Sequence, residues 1–170
     1  MKELLKSAIA NLAILSVNVR DSSIEMNENY NSLNINAIPS KNQSFRNVVK
    51  IEQIEMSNEE DPDNKKLLYC FRYDVGSRLV LPNQGEDSET EIEPILAIEA
   101  CFDAIYVANK ELSVEELEAF GTNNVGYNVW PYWREYLQST CARLGVNPIR
   151  LPFYDAKKPD IRKEKQKTGH

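Results

Sequence analysis

The side chains that most often carry catalysis are scarce in this 170-residue chain, and their spacing builds no constellation. The single histidine is His170, inside a basic tail, so a histidine-based triad or metal site has nothing to use. The three cysteines, Cys70, Cys101 and Cys141, stand far apart among apolar neighbours and lack metal-ligand spacing. Buried, reduced thiols are the expectation. Neither a G-x-x-x-x-G-K-[ST] phosphate loop nor a G-x-G-x-x-G turn is present. Carboxylates are plentiful at 26 Asp and Glu, and a carboxylate pair is the one acid–base chemistry that spacing leaves open. The expectation is a protein that is not an enzyme and uses no cofactor or metal.

Charge narrows the partners. The net charge is −6. Residues 155–170 hold six Lys/Arg and three Asp/Glu, which leaves −9 on residues 1–154. An acidic body repels phosphate backbones, so no nucleic-acid partner is expected. Apolar residues make up 42% of the chain, yet no run is long enough to insert into a membrane. The N-terminal apolar stretch is broken by Glu3 and Asn11 and has no small-residue cleavage site. A cytoplasmic location follows as an expectation. One domain is expected over 1–154, with 155–170 a basic, flexible tail.

The hydrophobic pattern then assigns the elements. Leu4, Leu5, Ala8, Ile9 and Leu12 share a helical face, which predicts a helix over 1–12. Strands are expected within 13–108. The first, 13–30, switches its apolar phase near Asp21–Ser23, the signature of a bulge or bend. Residues 31–43 read as a crossover holding a short strand, with Leu33, Ile35 and Ala37 alternating. A strand over 45–56 and a polar turn over 59–64 follow. Strict alternation then marks 66–81, where Leu67, Tyr69, Phe71, Tyr73 and Val75 point one way. An acidic loop over 82–93 leads to the last strand, 95–108. There Leu96, Ile98, Ala100, Phe102, Ala104 and Tyr106 share a face, with Glu99 and Asp103 opposite.

Two helices are expected within 113–145. Ser113 with Glu116 forms a capping box, and Gly121 is read as the stop. Residues 122–128 read as a loop, with Pro131 in the first turn of a longer helix that Gly145 ends. Trp133, Tyr136, Leu137, Thr140, Cys141 and Leu144 fall on one stripe of that helix. Strands first and helices last give an α+β class, a mostly antiparallel sheet with helices packed on one side.

Particular residues resemble a known family. The run Asn128-Val129-Trp130-Pro131-Tyr132-Trp133-Arg134-Glu135 resembles the start of the long helix of the SecB chaperones. Arg143–Pro148 and Leu151-Pro152 are similar to the turn after it. Arg20-Asp21-Ser22-Ser23-Ile24-Glu25 resembles the family's first-strand motif. The likeness runs from about residue 13 to 155 and is specific from Ile95 onward; 31–60 matches poorly. It implies a SecB-like four-stranded antiparallel sheet and a homodimer or homotetramer. It also implies ATP-independent binding of unfolded polypeptide clients.

In export-type members acidic residues on the exposed sheet face dock the SecA translocase motor. The resemblance carries those positions onto Asp21, Glu25 and Glu99, while a neighbouring family leucine is Ala97 here. The basic tail also departs from the export-type ending. A second branch serves toxin–antitoxin systems, where the client is an antitoxin. The role is then export, antitoxin stabilisation, or recognition of a single partner by a dedicated interaction protein.

A holdase needs apolar and aromatic surface that adapts to varied chains. The candidates for client binding are Met26, Tyr30 and Leu33 near the crossover, and Trp130, Trp133 and Leu137 on the long helix. A helical aromatic stripe of this kind serves equally as core.

Overall fold

The computed structural model describes residues 1–84 and 91–155. Within them the chain forms helix α1 (Lys2–Asn11) and strands β1 (Leu12–Met26), β2 (Lys41–Asn58), β3 (Asp61–Val80) and β4 (Leu96–Ala108). Helix α2 (Val114–Phe120) and helix α3 (Gly126–Leu144) follow. The strands form one sheet in the order β1-β4-β3-β2, every neighbouring pair antiparallel. The tail expected over 155–170 lies outside the described residues apart from Asp155, as do residues 85–90 of the acidic loop.

One face of the sheet is dry because two strands dedicate alternate residues to it. Tyr69, Phe71, Tyr73 and Val75 of β3, and every even residue from Leu96 to Tyr106 of β4, are buried. The stripe of α3 closes on this face, with Trp133, Leu137 and Cys141 all at 0% exposure. Phe71, Tyr106 and Phe120 meet at ring-centroid distances of 5.0–5.6 Å. Burial pushes the Tyr106 phenol up to about 12, and Asn128 donates a 2.8 Å hydrogen bond to its oxygen. The only buried hydroxyl of β3 on this side without a partner among the described residues is Ser77.

Several expectations from the pattern need correction. The first strand ends at Met26, and its register slips twice, between Ile14 and Ser16 and between Val19 and Asp21. The slip at Arg20 lies just before the phase switch. The crossover holds no strand of its own before β2 begins at Lys41: Ile35–Ala37 is a 3₁₀ turn. Its asparagines explain why, because their side chains compete for the backbone. Asn31 accepts from the Leu33 amide at 2.9 Å, and Asn34 accepts from the Asn31 amide at 2.7 Å. Leu33 is thereby turned outward while Ile35 is buried.

The expected 59–64 turn contracts to Glu59–Glu60, since Asn58 pairs with Asp61. Pro62 then lies inside β3. It is tolerated because β4 pairs with β3 only from Leu67 onward, so that side of the ribbon carries no ladder there. Gly121 does not stop α2. Its backbone stays right-handed, and Gly121–Val125 forms a π-helical turn that runs directly into α3. Asn123 donates to the Ala119 carbonyl at 2.7 Å, satisfying an acceptor inside that irregular turn. Pro131 therefore sits within α3, not in its first turn, on the exposed side. The helix ends where Gly145 adopts φ 68°, a left-handed conformation suited to glycine.

Trp133→Ala removes the largest fully buried side chain. It is expected to lower stability by about 3–5 kcal/mol, read as a shift of the urea midpoint at unchanged slope.

Candidate functional site

The helix-free face of the sheet carries the three carboxylates assigned by resemblance. Asp21 pairs with Cys101, Ser23 with Glu99 and Glu25 with Ala97, so Asp21, Glu25 and Glu99 share that face of β1 and β4. Asp21 and Glu25 are exposed, and Glu99 is half-buried. The Phe45 ring of β2 and the Glu99 side chain both lie close to Gly76. A Cβ at Gly76 would stand 2.3 Å from the Phe45 ring and 3.1 Å from Glu99.

Cations share this surface. Arg78 stands opposite Ala97 and donates to Gln43 at 2.9 Å. A chain of ion pairs crosses all four strands. Arg20 meets Asp103 at 2.7 Å, Asp103 meets Arg72 at 3.4 Å, and Arg72 faces Glu52 at 3.8 Å. Lys50 closes the chain and holds the Glu52 carboxyl below its usual range. The patch is thus mixed in sign.

Two thiols lie under it, Cys70 buried and Cys101 only half-buried, which departs from the expectation of a buried thiol at Cys101. Burial, aided by Asp103, pushes Cys70 up to about 11. Burial and a hydrogen bond with Asp74 push Cys101 up to about 12. Among the described residues no group of three or more His, Cys, Asp or Glu is placed to hold a metal ion.

The six residues considered for client contact divide on the other side of the sheet. Met26 and Tyr30 are half-buried, packed on the core where the crossover begins. Leu33 is 92% exposed. Trp133 and Leu137 are fully buried, so they build the core and present nothing to a partner. Trp130 is 8% exposed and takes part in a second feature that the pattern of apolar residues did not reveal.

That feature is the chain after α3. Val146 and Ile149 anchor in the core, and residues 151–155 then run without regular structure back along the helix. The Pro152 carbonyl accepts from Trp130 Nε1 at 3.0 Å and from Arg134 at 3.1 Å. The Asp155 carbonyl accepts from Arg46 of β2. Arg46 also lies 4.3 Å above the Tyr154 ring, and Arg134 lies 5.5 Å from Phe153. Beside this strap an open groove of about 480 Å³ is lined by Tyr127, Trp130, Pro131, Arg134 and Phe153, among others.

The available sequence signal was the aromatic pair Phe153-Tyr154 directly after Leu151-Pro152. Arg46 and Tyr127 carried no signal, because only the folded chain brings them to this helix. No helix among the described residues is long and apolar enough to cross a membrane.

With this geometry established, the architecture is the SecB-like α+β fold. The chain is similar in structure to the SecB-like chaperone Rv1957 of Mycobacterium tuberculosis, solved in complex with a ChAD peptide from the Rv1956 HigA1 antitoxin. The TM-score is 0.61 at 15% identity, over 92% of this chain and 99% of that one. No family model matches the sequence, and no curated protein matches it.

The thiol environment has a direct readout. At pH 8 a thiol with a pKa near 11 carries on the order of a hundredfold less thiolate than a free cysteine. Cys70 and Cys101 are expected to react with an aromatic disulfide reagent at least about tenfold more slowly in the native protein than in urea, with native rates rising as pH increases from 8 to 10. Native rates equal to the unfolded rates at pH 8 would contradict the buried placement of Cys70 and the half-buried placement of Cys101.

Proposed function

We propose that this protein is a chaperone of the SecB-like family, which holds extended, non-native polypeptide without nucleotide and without catalysis. The observation that carries the reading is the strap: side chains of α3 and β2 grip main-chain carbonyls of an extended segment on an aromatic surface. Recognition of main chain is blind to sequence, which a protein with many clients requires. The fold likeness over nearly the whole chain supports the same reading. In the proposal Met26, Tyr30, Leu33 and Trp130 contribute client-facing surface, with Trp133 and Leu137 supporting it from the core.

The client class favoured is an antitoxin or a similar unstable chain. The structural neighbour was solved with an antitoxin peptide, and the helix-free face here argues in the same direction. Asp21, Glu25 and Glu99 do lie together, as docking of a SecA motor would need. Yet the smaller Ala97 stands in place of the family's leucine, and Arg78 and Arg20 interrupt the acidic field. A dedicated recognition role for one toxin–antitoxin partner is the narrower form of the same proposal. The proposed site of action is the cytoplasm, where such clients are made.

A homodimer or homotetramer is part of the proposal. Strand β1 is an edge strand, paired only with β4. It exposes Ile14, Leu15, Val19 and Ile24, and α1 adds Leu4 and Ile9. Long apolar edges of this kind are normally covered.

The purified protein is expected to suppress aggregation of a chemically denatured client, followed by light scattering, at a few-fold molar excess and without ATP. Undiminished scattering at tenfold excess would overturn the chaperone reading. The triple variant Asp21→Ala, Glu25→Ala, Glu99→Ala is expected to hold clients as well as the natural protein. Binding of SecA by the natural protein, lost in the triple variant, would move the assignment to the export branch.

A further inference from the structure

We infer that the open edge of β2 is the docking site of the chain's own basic segment 156–170, which continues directly from the strap. Such docking is independent of which clients the protein holds, and it goes beyond the chaperone reading.

Strand β2 pairs only with β3, so its outer side presents a row of main-chain N–H and C=O groups. The edge is long and open. Val49, Lys50, Gln53 and every residue from Glu55 to Asn58 are exposed. The ladder slips between Val48 and Lys50, and Val49 and Met56 keep 44% and 56% of their surfaces uncovered.

This edge is also acidic. Residues 47–66, which join the outer half of β2 to the start of β3, hold six Asp/Glu against three Lys/Arg, a balance of −3. Lys50 is already spent on Glu52, and Lys65 on Glu55. Among the described residues Glu59, Glu60, Asp61 and Asp63 enter no ion pair.

The path of the strap specifies the occupant. Its rising residue numbers meet falling numbers on α3. Pro152 is held from Arg134 and Trp130, and Tyr154 packs on Trp130 and Tyr127. The strap therefore runs antiparallel to α3, away from the crossover that Asn36 ties to Gly145. Strand β2 leaves the same crossover at Lys41, so strap and strand run the same way. They meet where the Asp155 carbonyl accepts from Arg46. A chain continuing in that direction passes along β2 toward its acidic end.

Length and charge both fit. Arg46 to Asn58 is about 40 Å of strand at ~3.3 Å per residue. The fifteen residues 156–170 reach at most about 50 Å. They hold six Lys/Arg and two Asp/Glu, a balance of +4 that opposes the −3 of the edge. Pro159 lacks an amide donor, which a segment added at an edge tolerates. Lysine-rich cover also closes the edge to further strands, because charged side chains there oppose pairing.

The test is hydrogen exchange of individual β2 amides in the full chain, read by NMR at low salt. Amides of residues 47–57 that bond β3 serve as the internal control. Those that point away from β3 are expected to be protected in the natural protein. In the tail variant Arg162→Glu, Lys163→Glu, Lys165→Glu, Lys167→Glu they are expected to exchange about tenfold faster, with the control amides unchanged. At about 1 M salt, where the screening length is ~3 Å, the natural protein is expected to lose the same protection. The edge variant Glu59→Lys, Glu60→Lys, Asp61→Lys, Asp63→Lys is expected to match the tail variant. Combining both sets restores opposite charge and is expected to restore protection.

Equal exchange of the outward amides in the natural protein and the tail variant would overturn the inference. So would a combined variant that stays unprotected. Protection that rises with protein concentration would assign the edge to a second copy of the chain and overturn docking in cis. None of these results bears on aggregation suppression by the natural protein, so failure here is distinguishable from failure of the chaperone reading.

Discussion

The rings of Phe71, Tyr106 and Phe120 interlock within one dry layer, and that layer organises everything else in the molecule. A four-stranded antiparallel sheet buries one face only if a helix brings an apolar stripe to it. Here α3 supplies the stripe, and α2 is tied to it through a continuous π-helical turn. Because the helices are spent on one face, the other must satisfy itself. It does so with a charge chain from Arg20 through Asp103 and Arg72 to Glu52 and Lys50, and with small or half-buried residues between.

The same constraint makes the edges. Strand β4 and strand β3 are shielded on both flanks, while β1 and β2 each keep an open side. On β2 the strap and Arg46 cover part of the gap between sheet and helix. On β1 apolar residues stay exposed, with Leu15 at 60%. A chain built this way leaves two kinds of surface uncovered among the described residues, a free strand edge and an aromatic helix flank.

Aromatic residues on α3 thus divide between two tasks by helical angle alone. Trp133 and Leu137 lie on the side that faces the sheet and are fully buried. Trp130 is turned toward the strap, where its indole nitrogen donates to a carbonyl. Tyr127 is turned outward and is 69% exposed. Sequence periodicity identified the stripe but could not say where the core ends and the outer flank begins. That boundary is set by the position of the C-terminal segment, which packs 18 to 22 residues away along the chain from its hydrogen-bond donors.

What the residues alone determined is the local physics. Alternation in β3 and β4 specified their buried rows, because a strand has period two and only one face is dry. The Ser113–Glu116 box specified the start of α2, and Gly145 the end of α3, since caps are satisfied within a few residues. Resemblance in Asn128–Glu135 and around Arg143–Pro148 pointed to the fold the structure shows.

Tertiary structure decided the rest. The turn at Ile35–Ala37 is fixed from the far end of α3, where Asn36 donates to the Gly145 carbonyl at 2.9 Å and accepts from the Asn147 amide at 2.8 Å. Gly121 continues a helix where a stop was read, because no left-handed residue is needed there. Tyr154 packs among Gly126, Tyr73 and Arg46 of three separate elements, a meeting with no local sequence signature. Contacts between distant segments are made by the packed fold, and periodicity within one segment does not encode them.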